Sequence, residues 1–159
     1  MILYFLRHGL AEDRLVWSGD DGLRPLTKQG IKVLEREADA LMPLLSDLKL
    51  ILTSPLTRAF QTAEIVAEKL SLTNNLIKDQ RLSPGFDTTQ LVAVLDDYPD
   101  QDLMMLVGHE PDFSLTISSI IGGGNLVCKK GGLARVDLYS RSPLTGELVW
   151  LVPPKIIIG

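Results

Sequence analysis

The amino-acid sequence predicts a three-layer α/β/α sandwich with a mostly parallel central sheet and an antiparallel edge. Three features predict it. Short apolar runs of strand-forming residues alternate with longer segments whose apolar residues recur every three or four positions, the order expected of strands joined by crossover helices. The runs at residues 2–6 and 103–107 are apolar throughout, as in strands covered by helices on both faces. Towards the end the pattern changes: residues 132–139 alternate apolar and polar side chains, as in a strand with one polar face. A length of 159 residues fits one domain, spanning 1–159, with a core of ordinary size.

The first strand, residues 2–6 (Ile-Leu-Tyr-Phe-Leu), stops abruptly at Arg7-His8-Gly9. Loop 10–26 follows, with Ser18-Gly19-Asp20-Asp21-Gly22 and Pro25. It starts at a strand's carboxyl end, which makes it a candidate substrate rim. Thr27 is placed to cap a helix reaching about Ser46, with Ile31, Leu34, Ala38, Leu41 and Leu45 as its apolar stripe. Residues 49–53 form the second strand. Ser54 then reads as an N-cap and Pro55 as the first residue of a helix to about Leu70, which puts Arg58 in its opening turn. Asn74-Asn75 marks a turn, residues 76–79 a short edge strand, and 80–86 an irregular stretch. A third helix begins at Asp87 and ends before Pro99. The strand at 103–107 leads into Gly108-His109-Glu110-Pro111; a fourth helix covers 111–121, and Gly122-Gly123-Gly124-Asn125 ends it. Residues 132–139 and 147–152, joined by a turn at 143–146, give a terminal hairpin.

Bulk properties narrow the function classes. Hydrophobic residues at 45% and charged residues at 23% are values of a globular protein, and no apolar run approaches the ~20 residues of a membrane span. The first residues lack a signal-peptide pattern, so a cytoplasmic location is expected. One cysteine, Cys128, excludes an internal disulfide and a cysteine-rich metal site. The net charge of −4 argues against nucleic-acid binding and against recruitment of anions by the overall field. Any phosphate would be held by a local cluster of arginines.

Such a cluster is visible. The chain has two histidines, His8 and His109, and each follows an apolar strand at its carboxyl end, the edge at which α/β sheets bind ligands. Arg7 and Arg58 are brought to the same edge. Two guanidiniums offer fixed forks for phosphate oxygens, and the helix start behind Arg58 adds backbone N–H groups and partial positive charge. A neutral imidazole flanked by cations is a good nucleophile towards phosphorus, and a covalent phosphohistidine divides one hard hydrolysis into two easier steps. The second histidine, protonated, could donate to the transferring phosphoryl group. A metal site built from the histidines with Glu12, Glu110 or Asp112 is disfavoured, because the arginines would repel the cation and no helix-spaced histidine pair exists. A Ser-His-Asp hydrolase lacks its Gly-x-Ser-x-Gly elbow, and Gly122-Gly123-Gly124 lacks the lysine of a phosphate-binding Walker loop.

These blocks carry a resemblance. Arg7-His8-Gly9 after a strand, Ser54-Pro55-Leu56-Thr57-Arg58-Ala59 with Gln61-Thr62-Ala63, and Gly108-His109-Glu110-Pro111 look like the motifs of the histidine phosphatase superfamily, the phosphoglycerate mutase and acid phosphatase group. Pro25-Leu26-Thr27 with Gly30 also matches the family's approach to its first helix. The resemblance implies a phosphoglycerate mutase-like fold, His8 as phosphorylated nucleophile, and Arg7, Arg58 and His109 as the phosphate pocket, with no metal and no cofactor. Larger members insert a lid before the second histidine; this chain has room there for one helix. In that it is similar to the SixA-type phosphohistidine phosphatases, which act on proteins such as a histidine phosphorelay domain. The implied partner is a phosphorylated protein, with neither nucleic acid nor membrane. Lys129-Lys130-Gly131-Gly132 also fits that subgroup.

Relatives that hydrolyse esters use a carboxylic acid to protonate the leaving oxygen. The candidates are Asp87 and Glu12, although Asp87 with Gln90 three residues on is also an ordinary helix-capping pair. An imidazole leaving group would need such an acid less. The competing readings are a small-molecule phosphomonoesterase acting on a sugar or nucleotide phosphate, and a catalytically idle phosphoprotein-binding module on the same fold.

Overall fold

The computed structural model describes residues 1–159. The strands are β1 (Ile2–Arg7), β2 (Ile51–Thr53), β3 (Leu76–Lys78), β4 (Leu103–Gly108), β5 (Leu133–Arg141) and β6 (Leu144–Val152). They form one sheet in the order β3-β2-β4-β1-β5-β6. The first four in that order run parallel, and β5 and β6 add the antiparallel edge. The helices are α1 (Lys28–Leu41), α2 (Thr57–Lys69), α3 (Thr88–Asp97), α4 (Asp112–Ile120) and a short α5 (Pro154–Ile157).

Alternation along the central strands builds the three layers. Leu3 and Phe5 of β1, with Met104 and Leu106 of β4, face α3 and α4 through Leu91, Leu95, Phe113 and Ile117. Tyr4, Leu6, Met105 and Val107 face the other way, onto Ala38 and Leu41 of α1 and Ala59, Ala63 and Val66 of α2. Both faces are buried, which is why these strands are apolar without interruption. The pairing of β1 with β4 is in register from Ile2 opposite Leu103 to Arg7 opposite Gly108. Both strands therefore end at the same level of the sheet.

Local chemistry sets most element ends, and in several places it differs from the expectation. Thr27 caps α1 as predicted, its Oγ1 accepting the Gly30 N–H at 2.9 Å. Gly30 lets the helix lie against the carbonyl of Leu10, which a Cβ there would strike. The helix stops at Leu41 rather than near Ser46, because Pro43 has no N–H to continue the ladder and its ring opposes the preceding turn. Leu45 remains in the core through a turn that follows. Helix α2 begins at Thr57, with Leu56 at the cap position, so neither Ser54 nor Pro55 plays the predicted role. The terminal hairpin is longer than expected and its turn is reduced to Ser142 and Pro143. Gly146 lies within β6, where a Cβ would stand 2.5 Å from the Asp137 carbonyl oxygen. It serves close strand approach instead of a turn. No helix is long and apolar enough to cross a membrane.

One carboxyl sits inside the core without a partner. Glu37 of α1 is only 1% exposed, and neither carboxyl oxygen has a hydrogen-bond partner. Burial pushes its pKa up to about 8. The folded state therefore holds a proton that the unfolded chain releases near the ordinary value, 4.5. Stability on this account is full below pH 4.5 and is lost as pH rises through about 8. Each tenfold in proton affinity is worth about 1.4 kcal/mol, so the loss is on the order of a few kcal/mol. We expect urea unfolding at pH 5, 7 and 9 to show wild type weakening relative to Glu37→Gln as pH rises; parallel profiles for the two proteins would refute the buried-proton account.

Candidate active site

The equal ends of β1 and β4 deliver His8 and His109 side by side, with ring centroids 5.4 Å apart. The His8 N–H donates to the Gly108 carbonyl at 3.0 Å, which extends the strand pairing into the site. Arg58 arrives from the first turn of α2, and Arg7 is the last residue of β1. All four line one cavity of about 740 Å³ at the carboxyl edge of the sheet.

The hydrogen bonds assign the imidazole nitrogens. Nδ1 of His8 lies 2.8 Å from the Gly9 carbonyl oxygen. A carbonyl can only accept, so Nδ1 carries the hydrogen and Nε2 keeps its lone pair. Burial, then the neighbouring His109, Arg58 and Arg7, lower the His8 pKa to about 3, against the single opposing effect of the Gly9 bond. His8 is thus a neutral base with one free nitrogen. On His109, Nε2 lies 2.8 Å from the Ser54 hydroxyl. That hydroxyl oxygen accepts the Leu56 N–H at 3.3 Å, and its own hydrogen finds an acceptor only if Nε2 keeps its lone pair. Nδ1 then bears the N–H of His109, and it has no protein partner. Burial, followed by Arg58, lowers the His109 pKa to about 4. The expectation of a protonated His109 concerns the ring facing a phosphoryl group; in the protein alone, beside two guanidiniums, the ring is neutral and its donor is an ordinary N–H.

The arginines are fixed from behind. Arg7 donates from Nη1 to the Cys128 carbonyl at 2.8 Å. Arg58 is buried; its Nη1 donates to the Asp21 carbonyl at 2.8 Å and its Nη2 lies 3.2 Å from the Asp21 carboxylate. Asp21 also accepts from Arg24 at 2.9 Å, and these guanidiniums hold its carboxyl below the usual range. The Gln61-Thr62 pair locks α2 to the loops. Thr62 Oγ1 accepts the Gly9 N–H at 3.0 Å and donates to the Arg58 carbonyl at 2.7 Å, while Gln61 Oε1 accepts the Leu26 N–H at 2.8 Å. One threonine hydroxyl therefore ties the loop after β1 to the backbone of Arg58.

The two candidate acids fare differently. Glu12 lines the cavity. Asp87 does not: it is exposed and caps α3 in a reciprocal capping box with Gln90. The cavity also takes in Asp21 and Arg24, from the loop expected to form its rim, together with Glu110 and Lys130. Asp21 and Arg24 are three apart in a polar turn and carry no motif of their own. No group of three histidine, cysteine, aspartate or glutamate side chains is arranged to hold a metal ion. Its walls carry the cations of Arg7, Arg14, Arg24, Arg58 and Lys130 and the carboxylates of Glu12, Asp13, Asp21 and Glu110; Arg7 and Arg58, beside the two histidines, suit that end of the cavity to a small anion.

The sequence pattern of the Histidine phosphatase superfamily (branch 1) matches residues 3–83. An uncharacterized protein of Picosynechococcus sp. (strain ATCC 27264 / PCC 7002 / PR-6) is 36% identical, with 99% of each chain covered. Among solved structures, the protein histidine phosphatase SixA complexed with tungstate superposes with a TM-score of 0.86 at 24% identity, over 98% of this chain and 99% of that one. The Agrobacterium tumefaciens protein described as a SixA phosphohistidine phosphatase gives 0.78 at 22% identity, over 96% and 98%. The mycobacterial glucosyl-3-phosphoglycerate phosphatase in complex with VO3 gives 0.71 at 19%, over 94% and 98%. The structural likenesses establish a phosphoglycerate mutase-like α/β fold.

The ring assignments are directly measurable. Both histidines should stay neutral from pH 8 down to pH 5, each with its hydrogen on Nδ1, in long-range nitrogen–proton NMR spectra assigned with His8→Ala and His109→Ala. Adding tungstate should raise the pKa of His109, since a bound dianion favours the charged ring. An imidazolium signal from either residue at pH 6 in the protein alone would overturn the assignment.

Proposed function

The chain belongs to the histidine phosphatase superfamily, and from that premise we propose that it removes the phosphoryl group from phosphohistidine on a protein, through a covalent intermediate on His8. The observation that carries this reading is the Gly9 carbonyl on His8 Nδ1, which leaves Nε2 unprotonated in a cavity walled by guanidiniums. In the first step the Nε2 lone pair bonds to phosphorus while the bond to the substrate's imidazole nitrogen breaks, and that imidazole leaves with its proton. Arg7, Arg58 and the His109 Nδ1–H bind the equatorial oxygens, where charge concentrates in the transition state. In the second step water attacks the phosphorylated His8, returning the lone pair to Nε2 and releasing phosphate. The positive charge comes from side chains, so the reading requires no metal and no cofactor. The tungstate bound by the SixA protein suits this assignment, being a tetrahedral oxyanion.

A macromolecular substrate is supported by the rim. The loop beside the cavity exposes Leu15 at 94% and Val16 at 80%, apolar side chains without a packing role in the chain itself. The carrier of the phosphohistidine is a protein of the phosphorelay kind, and the reaction belongs in the cytoplasm. The small-molecule reading has one observation in its favour: Glu12 lines the cavity, where an ester's departing oxygen would need a proton. The binding-module reading leaves the tautomer of His8 without a purpose.

His8→Ala should abolish turnover of phosphohistidine and the acid-labile phosphate that wild type acquires during the reaction; label on His109 instead would refute the nucleophile. Arg58→Ala should slow the reaction about 30- to 1000-fold, equivalent to roughly 2–4 kcal/mol, and a chelator should have no effect. With phosphohistidine, Glu12→Gln and Asp87→Asn should change turnover only slightly. A wild-type preference for small phosphomonoesters, lost in Glu12→Gln, would establish the small-molecule reading in its place.

A further inference from the structure

A second groove opens beside the phosphate cavity, and the two share Arg7, Leu10 and Lys130. Its volume is about 690 Å³. The floor is apolar, formed by Val33 and Leu34 of α1 with Pro153, Pro154 and Ile158 of the last segment. Lys129 and Lys155 stand exposed on its edges along with Lys130. No acidic side chain lines it, although the protein carries a net charge of −4. The wall that bears the lysines is joined to the catalytic strand, because the Gly131 N–H donates to the carbonyls of Arg7 and His8 at 3.2 and 3.1 Å.

We propose that this groove is the docking site for the polypeptide around the phosphohistidine, and that it selects a segment with apolar side chains flanked by acidic ones. The inference rests on the phosphohistidine reading and adds to it where the carrier protein lies. Continuity with the phosphate cavity fixes the location: a chain whose phosphorylated side chain enters beside Arg7 passes over Leu10 and Lys130 into the groove. Charge fixes the chemistry. Three lysines without an ion-pair partner, Lys129, Lys130 and Lys155, around an apolar floor repel a basic segment and attract an acidic one, while the apolar floor supplies area. The remaining cations of the phosphate cavity are engaged differently, Arg24 and Arg58 being held by Asp21. Lys129 and Lys155 have no partner among the ion pairs of the chain.

The test separates docking from chemistry. Two fluorescein-labelled peptides carry one phosphohistidine flanked on each side by leucine and then by two glutamates or two lysines. Their binding is measured by anisotropy to His8→Ala, which does not turn them over. Phosphoimidazole turnover, which needs no docking, is measured on the protein with His8 intact. The acidic peptide should bind roughly tenfold more tightly than the basic one, the preference shrinking at high salt. Lys129→Glu with Lys155→Glu should abolish that preference while phosphoimidazole turnover stays at the wild-type level. Equal binding of the two peptides, or a preference unchanged by the double substitution, would overturn the groove. Absence of phosphoimidazole turnover in wild type would instead refute the phosphohistidine reading, and a preference still sensitive to the two lysines would leave the groove as an acidic-peptide site.

Discussion

The site depends on the register of two parallel strands. Arg7 sits opposite Gly108, so the residues that follow, His8 and His109, emerge from the sheet at one level and within reach of one tetrahedral anion. A slip of one residue would turn every side chain of β1 to the opposite face, burying Tyr4 where Phe5 now packs and aiming the histidine elsewhere. Register is held by burial on both faces: Phe5 meets Phe113 edge-on at 5.1 Å, and Tyr4 lies 5.8 Å from Trp150 on the other side. The packing of aromatic rings thereby fixes the placing of His8. Gly108 adds to this, since a Cβ there would meet the Phe113 ring at 2.7 Å.

Electrostatics does the rest. Taking two imidazoles and two guanidiniums out of water together would be costly if all four were charged. The cost is lowered by leaving both imidazoles neutral, and the same neutrality leaves a lone pair on His8 Nε2, the atom proposed as nucleophile. Stability and reactivity point the same way here, which is uncommon in a site built of perturbed groups. The interior carboxyl of Glu37 is the contrary case, a buried group whose burial serves no visible pairing.

Much of this was legible because it is local. A run of apolar residues ending in Arg-His names both a strand and its ligand edge, and the recurrence at His109 shows that the first instance is no accident. Asp87 announced its cap through Gln90. Ser54 misled for the same reason: beside a proline it satisfies a local rule for helix starts, whereas its hydroxyl is required by His109, 55 positions away. Asp21 was invisible as a pocket group because its meaning lies in Arg58, 37 positions on and reached only by folding. Glu37 did leave a trace, three positions after Leu34 and four before Leu41 on the buried stripe of α1, where no acid belongs. The proline that ends that helix was also in plain view at position 43.

The tie between Asp21 and Arg58 bears on the end of the catalytic cycle. A pocket of arginines that grips a transferring phosphoryl group also grips the phosphate it liberates, and such a pocket would clog with its own product. Asp21 carries a carboxylate that is attached to the chain and already fits Arg58. Tethering keeps its effective concentration high, at the millimolar level or above for a short loop, whereas free phosphate must be drawn from solution. On the proposed phosphatase reading, that carboxylate competes with liberated phosphate for Arg58, and weak product inhibition would be the kinetic trace of one aspartate in a polar turn.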